Sequence, residues 1–414
     1  MARGFYTILA AQFFSALADN ALLFAAIALL KEQAAPDWHT PVLQQFFVFA
    51  YIVLAPFVGP FADALPKGRV MFVSNAVKIG GCLAMLVGLQ PVFAYGIVGI
   101  GAAMYSPAKY GILTEVLPPR KLVLANGWME GLTVASIILG AILGGLMVAD
   151  RFAHWMAGWF PWLDAIPHLN TAPELAILVI LGLYLVAALI NLYIPRVALD
   201  HPVVKRDPWS LLVDFGACFV RLWRDPLGQV SLAVTTLFWG AGATLRLIVL
   251  AWAGIALHLD LERATQLTAV VAIGIAAGSV VAAKTVRLER AVRVLPVGIA
   301  MGIAVLAMVV VEDWRIAVAM LIAIGAMGGY FVVPMNALLQ HRGHRLMGAG
   351  HSIAVQNFNE NLSILVMLGG YAAMLKADLS VNTIVIVFGL FVLLSMLAIW
   401  SRHRHDQDGT TLDD

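Results

Sequence analysis

The stretch Ala11-Gln12-Phe13-Phe14-Ser15-Ala16-Leu17-Ala18-Asp19-Asn20-Ala21-Leu22-Leu23-Phe24 sets an aspartate and an asparagine inside an apolar run from Phe5 to Leu30. As a helix rising about 1.5 Å per residue, such a run crosses the roughly 30 Å hydrocarbon core of a bilayer. Asp19 then lies about 21 Å along the axis, too deep to reach either surface. A carboxylate at that depth needs a partner or a water-filled cavity. Two readings follow: a structural carboxylate held by a neighbouring helix, or a cavity-lining group that meets a cationic or proton-exchanging substrate. Arg3, the apolar run and Ala16-Leu17-Ala18 also imitate a signal peptide with its small-residue cleavage site. The apolar character continues through Leu30, so the run reads as a retained first span.

The rest of the chain has the same character. It is 61% hydrophobic and 12% charged, against about 25% charged in an ordinary soluble domain. The mean hydropathy is +0.89. This is the composition of an integral membrane protein. Cys82 and Cys218 both fall in apolar surroundings and suggest neither a disulfide framework nor a metal site. No cofactor and no nucleic-acid partner is expected.

Apolar runs bounded by charges, Pro or Gly place twelve spans at about 5–30, 43–64, 70–89, 92–114, 121–149, 174–195, 227–257, 265–286, 293–311, 315–339, 348–375 and 382–401. With the N-terminus cytoplasmic, the outer loops hold only Lys31, Arg151, Arg263, Arg315 and Lys376. Most other basic residues fall on the inner side, so the positive-inside rule puts both termini in the cytoplasm. Two segments do not span. Asp207-Pro208 is a helix start, with Asp as N-cap and Pro at the first helical position. The helix that follows groups Leu211, Leu212, Phe215, Phe219, Leu222 and Trp223 largely on one side and reads as an inner interfacial linker. Trp155, Trp159, Phe160 and Trp162 form an outer aromatic patch suited to headgroup depth. The expected organisation is an N-terminal six-helix half at 1–196, a cytoplasmic linker at 197–226, a C-terminal six-helix half at 227–401 and a cytoplasmic tail at 402–414.

The two halves look duplicated. Gly101 and Pro107 stand six apart in one half, as Gly328 and Pro334 do in the other, with Lys109 and Asn336 two residues after each proline. Small, polar-rich stretches follow at Ala125-Asn126-Gly127 and Ala349-Gly350-His351. Phe13-Phe14-Ser15-Ala16 similarly matches Phe238-Trp239-Gly240-Ala241. The matches occur in order, six spans apart, the layout of a transporter with a site between repeats.

Between spans two and three, Gly59-Pro60-Phe61-Ala62-Asp63 leads to Lys67-Gly68-Arg69. This resembles the signature loop of the major facilitator superfamily, and the implied fold is all-α with twelve transmembrane helices in two six-helix halves. In that reading Gly59 permits close helix packing, Asp63 pairs with basic groups or a helix N-terminus, and Asp63, Lys67 and Arg69 form a gate. The second-half counterpart has Ala282 where the acid would stand. Within the superfamily, Ala18–Phe24, Tyr105–Leu113, Leu237–Gly242, Val332–Gln340 and Ile353–Asn357 resemble the bacterial lysophospholipid transporter family. The resemblance runs from about Gln12 to Trp400 and implies movement of lysophosphatidylethanolamine and related lysolipids from the outer to the inner leaflet of the bacterial inner membrane. It further implies a functional partner, the acyltransferase/acyl-carrier-protein synthetase that reacylates them. The chain departs from the family in its Trp-rich outer segment and acidic tail, and in His351, where Asn is expected.

In a twelve-span facilitator the first, fourth, seventh and tenth helices line the cavity, with faces of the second, fifth, eighth and eleventh. Asp19, Asn20, Lys109, Arg246 and Asn336 fall on the first set; Asn126, Glu130, Gln356, Asn357 and Glu360 fall on the second. Both signs of charge suit a zwitterionic headgroup, with Arg246 engaging phosphate and Asp19 an ammonium. Structural alternatives are an Asp19–Arg246 salt bridge, snorkelling by Lys109 and simple interhelical bonds for Gln356 and Asn357. Lys78, on a peripheral third helix, reads as a structural partner or snorkeller. A rival function is proton-coupled export of an amphipathic small molecule, with Asp19 or Glu360 carrying the proton. His403-Arg404-His405-Asp406-Gln407-Asp408 matches the His-x₄-Asp pattern of acyltransferases, but no domain follows to position a substrate, so no enzyme is expected. A transport-inactive scaffold would have no need of charges this deep.

Overall fold

The computed structural model describes residues 3–36, 39–160, 162, 169–195, 207–259 and 261–406. Among them every regular element is helical: α1 (Arg3–Glu32), α2 (His39–Ala64), α3 (Lys67–Leu86), α4 (Pro91–Val116), α5 (Leu122–Met147), α6 (Asp150–Trp159), α7 (Ala172–Asn191), α8 (Pro208–Arg224), α9 (Pro226–Ala256), α10 (Leu261–Thr285), α11 (Leu295–Ala307), α12 (Trp314–Met347), α13 (Ala349–Lys376) and α14 (Val381–Asp406). Ten stretches are long and apolar enough to cross a membrane. The other two expected spans, α4 and α13, have 26 and 28 residues. They fall short in apolarity because α4 carries Ser106 and Lys109, and α13 carries Gln356, Asn357, Asn359 and Glu360. Both helices hold candidate site residues.

Local sequence sets the helix ends. α8 begins at Pro208 behind Asp207, whose carboxylate accepts from the Ser210 backbone N–H at 3.2 Å. That bond holds the Asp207 carboxyl below its ordinary value. Asp225 caps α9 in the same way, accepting from Gly228 N at 2.7 Å with Pro226 at the first position. Glu174 reaches back to the Thr171 N–H at the start of α7, at 3.2 Å. Two ends differ from the sequence reading. α12 runs on to Met347 instead of stopping near Leu339, because Gln340 and Arg342 find buried partners. It stops at Gly348, whose φ of 98° lies in the left-handed region that favours glycine. The ninth span opens as a 3₁₀ segment, Leu288–Val294, before α11 begins with Pro296 in its first turn. The Trp-rich segment is helical in part, as α6, with Met156 packed against Leu169 and Leu175. Trp155, Trp159 and Trp162 are all exposed. Residues 196–206, most of the tail and the last two positions of the His-x₄-Asp pattern, 407 and 408, lie outside the described residues.

The chain divides into two compact units: residues 1–116, 135–215 and 348–354, and residues 117–134, 216–347 and 355–414. In the first, α1 packs on α7 and α4, α2 on α4, and α3 on α4 and α7. In the second, α9 packs on α14 and α12, α10 on α12, and α11 on α12 and α14. These are the same pairings six spans later. Pro107 and Pro334 lie inside α4 and α12, the counterparts in that scheme. Among the described residues of the first unit, two apolar clusters involve α1. One joins Ala18–Leu30 of α1 to Cys82, Tyr95 and Ile177–Tyr184; the other joins Ile8 and Ala11 to Met71, Tyr105 and Ile112. Many large apolar side chains are instead exposed, among them Phe49, Leu146 and Leu394, as expected of helices that face lipid.

Candidate functional site

Asp19 sits on α1 between Ala18 and Ala21 of one apolar cluster and about two turns beyond Ala11 of the other. Lys78 of α3 donates to Asp19 Oδ2 at 2.8 Å and to Ser15 at 3.0 Å. The Tyr184 hydroxyl donates to Asp19 Oδ1 at 2.7 Å, and Ser15 donates to Asn75 at 2.9 Å. The Lys78 ammonium also lies 4.9 Å from the Tyr105 ring centroid. Lys78 is fully buried, with 1% of its side chain exposed, whereas Asp19 retains 21%. Lys78 is therefore the structural partner that the sequence reading allowed. A fully buried ammonium tolerates removal of its carboxylate poorly. Asp19 is open enough to take a further donor on its remaining lone pairs. Asn20, partly buried, turns its amide back to Ala16 O at 2.8 Å. Lys109, also partly buried, lies 4.2 Å above the Tyr110 ring.

The Gly59–Arg69 loop builds a second site in this unit. Asp63 receives Lys67 Nζ at 2.8 Å, Gly350 N at 2.8 Å, His351 N at 3.1 Å and His351 Nδ1 at 2.7 Å. The carboxylate thus caps the N-terminus of α13, where unsatisfied N–H groups and the helix dipole favour an anion. Gly59 and Gly350 make this possible. A Cβ on Gly350 would press on Asp63, and one on Gly59 would press on the His351 backbone. Lys67 also meets Glu115 at 3.2 Å and is buried. Arg69 is exposed. The helix-terminus contact expected of Asp63 is present, and its partners Gly350 and His351 stand where the sequence marked a small, polar helix start.

In the second unit, Gln356 donates to Asn336 Oδ1 at 2.8 Å and to Glu360 Oε1 at 2.7 Å. Gln356 and Glu360, four residues apart, share a helix face as read. All three are buried, and Gln356 Oε1 has no hydrogen-bond partner among the described residues. Two acceptor groups, one a carboxylate, therefore stand beside a buried oxygen awaiting a donor. Asn126 forms a reciprocal amide pair with Gln340, 2.8 Å in each direction, tying α5 to α12. Its amide is taken up by that pair. Glu130 and Asn357 are buried. Arg246 of α9 is exposed, with no ion-pair partner among the described residues.

Sequence reasoning missed several members of these clusters: Tyr184, Gln340, Asp214, which lies 3.4 Å from His351 Nε2, and the bidentate Arg342–Asp225 pair with Nε at 3.1 Å and Nη2 at 2.5 Å. Asp225-Pro226 carries the same helix-start pattern as Asp207-Pro208, so Asp225 as a cap was findable. Its arginine partner, 117 positions away, was not.

Helices arranged in this way, with buried polar clusters inside otherwise apolar spans, define a multi-pass membrane transporter. Residues 8–368 match the Major Facilitator Superfamily, and a bacterial homologue of the iron transporter ferroportin, solved in an outward-facing state, has the same fold. It superposes with a TM-score of 0.72 over 98% of this chain and 100% of its own, at 16% identity. The chain is 45% identical over 382 residues to the lysophospholipid transporter LplT of Yersinia enterocolitica, covering 92% of this chain and 89% of that protein. It is 44% identical over 405 residues to that of Serratia proteamaculans, covering 98% and 96%. The chain belongs to the lysophospholipid transporter family of the major facilitator superfamily.

Proposed function

We propose that the chain is a lysophospholipid flippase. It moves lysophosphatidylethanolamine and related lysolipids from the outer to the inner leaflet of the bacterial inner membrane, where an acyltransferase/acyl-carrier-protein synthetase reacylates them. The observation that carries this reading is 45% identity across 92% of the chain to a protein named for that substrate class. The basic residues of the loops support a cytoplasmic position for both termini.

The chemistry of the polar clusters fits the headgroup. Arg246, exposed on an otherwise apolar helix, offers a planar fork to a phosphate. Glu360 and the unpartnered Gln356 Oε1 supply acceptors for an ammonium. Asp19 adds a carboxylate whose charge Lys78 balances at rest. The acyl chain gains about 0.8 kcal/mol per buried CH₂, so the economical path keeps the tail in lipid while the headgroup crosses. Asp63, Lys67 and Arg69 act on the gate, not on the lipid.

Uptake of labelled lysophosphatidylethanolamine into vesicles holding the purified chain tests the reading. Uptake above empty vesicles without an imposed gradient is the expected result. Absence of lysolipid uptake together with gradient-driven extrusion of an amphipathic dye would replace it with the proton-coupled exporter.

A further inference from the structure

We propose that His351 is a proton-binding site that fastens the linker helix α8 to the junction of α2 and α13. Its Nδ1 lies 2.7 Å from Asp63 and its Nε2 lies 3.4 Å from Asp214 of α8. A neutral imidazole has one N–H, so with a carboxylate at each nitrogen one lone pair must face an anion. An imidazolium gives an N–H to both. The site is built for the protonated ring.

Three carboxylates stand about this ring and the neighbouring ammonium. Asp63 and Glu115 already share the single ammonium of Lys67, which stands 2.8 Å from the first and 3.2 Å from the second. Asp214 brings a third carboxylate from α8. These groups come from α2, α3, α4 and α8. The His351 side chain is 12% exposed, so solvent screens its contacts only in part while a proton can still reach it.

The two halves of the contact respond differently to proton loss. Asp63 keeps the backbone N–H groups of Gly350 and His351 as well as Lys67, so it stays bonded to α13. Asp214 keeps no attraction to a neutral ring whose remaining N–H points at Asp63. Proton loss therefore removes this tie between α8 and the junction and leaves the α2–α13 contact in place. The hold on α8 then depends on the protonation of this ring. An asparagine at this position would reach Asp63 but not a second carboxylate beyond it, so the latch belongs to the histidine.

Hydrogen exchange of the full chain in lipid nanodiscs, without lysolipid, tests this independently of any transport activity. After correction for intrinsic chemistry, amides of α8 should be roughly tenfold better protected at pH 6 than at pH 8. The difference should vanish in His351→Asn and in Asp214→Asn. Asp214 is 32% exposed, so the second variant leaves the packed interior intact if the first does not fold. Protection of α8 that is equal at both pH values in the unaltered chain would overturn the proposal. So would a pH dependence that persists in Asp214→Asn.

Discussion

α1 and α9 are counterparts in the duplication, and each carries a lone charge deep in an apolar helix. Asp19 on α1 is answered within its own unit by Lys78 and Tyr184 at 2.8 and 2.7 Å. Arg246 on α9 is exposed and has no ion-pair partner among the described residues. The difference separates two uses of a charge inside a membrane protein. A charge matched by a fully buried partner is part of how its unit holds together. One left open is available to a ligand that carries the opposite sign. Asp19, 21% exposed, belongs mainly to the first kind and retains some of the second.

The largest effect that can break this comparison is removal of Lys78. Lys78→Met leaves the Asp19 carboxylate half-buried without its cation and should destabilise the chain by about 3–5 kcal/mol. Asp19→Asn with Lys78→Met should recover most of that loss, read as thermal unfolding in detergent. A single variant that melts like the parent would remove Asp19–Lys78 from the account of the fold. Next in size is Asp63→Asn, which keeps an acceptor for the α13 backbone but loses the charge that Lys67 and His351 meet. It should slow lysolipid uptake several-fold, with the half-saturating concentration changed less than about twofold, corresponding to roughly 1 kcal/mol in one conformational state. A large affinity loss with normal turnover would contradict a gating role.

Smaller effects sharpen the contrast. Asp207→Ala should speed hydrogen exchange in the first turn of α8 alone, because it removes the cap on Ser210 N. The Asp207 carboxyl sits below its ordinary value, so the cap is fully present at neutral pH. It is lost only as pH falls through that lowered value. The same local fraying is therefore expected on acidification of the unaltered chain. Smallest of all is the stability change in Arg246→Ala, expected within about 0.5 kcal/mol because no described partner is lost. A destabilisation like that of Lys78→Met would make Arg246 a structural charge after all.

Much of the fold was legible because it rests on local patterns. Apolar run length gave the spans, Asp-Pro gave the start of α8, and the Gly59 and Asp63 spacing gave the close approach and the helix-terminus contact. The partners of buried polar groups were harder to read because they depend on packing between distant segments. Lys78 lies 59 positions from Asp19, and Gln340 lies 214 from Asn126. Sequence could say that Asp19 needed a cation and that Lys78 needed an anion. It could not say that they needed each other, since Arg246 met the same description. The continuation of α12 past Leu339 was missed for a similar reason: His341, Arg342, His344 and Arg345 read as a helix end until Asp225 supplies Arg342 with a buried partner.

The most direct test of the account is uptake of labelled lysophosphatidylethanolamine into vesicles by the unaltered chain and by Arg246→Ala at matched protein content. A charge-assisted hydrogen bond to phosphate contributes about 1.5–3 kcal/mol, so the variant should need roughly tenfold or more substrate for the same rate. Arg246→Lys should recover only part of the loss where the contact is bidentate. Uptake by Arg246→Ala equal to that of the unaltered chain would contradict the assignment of this open charge to the lysolipid headgroup.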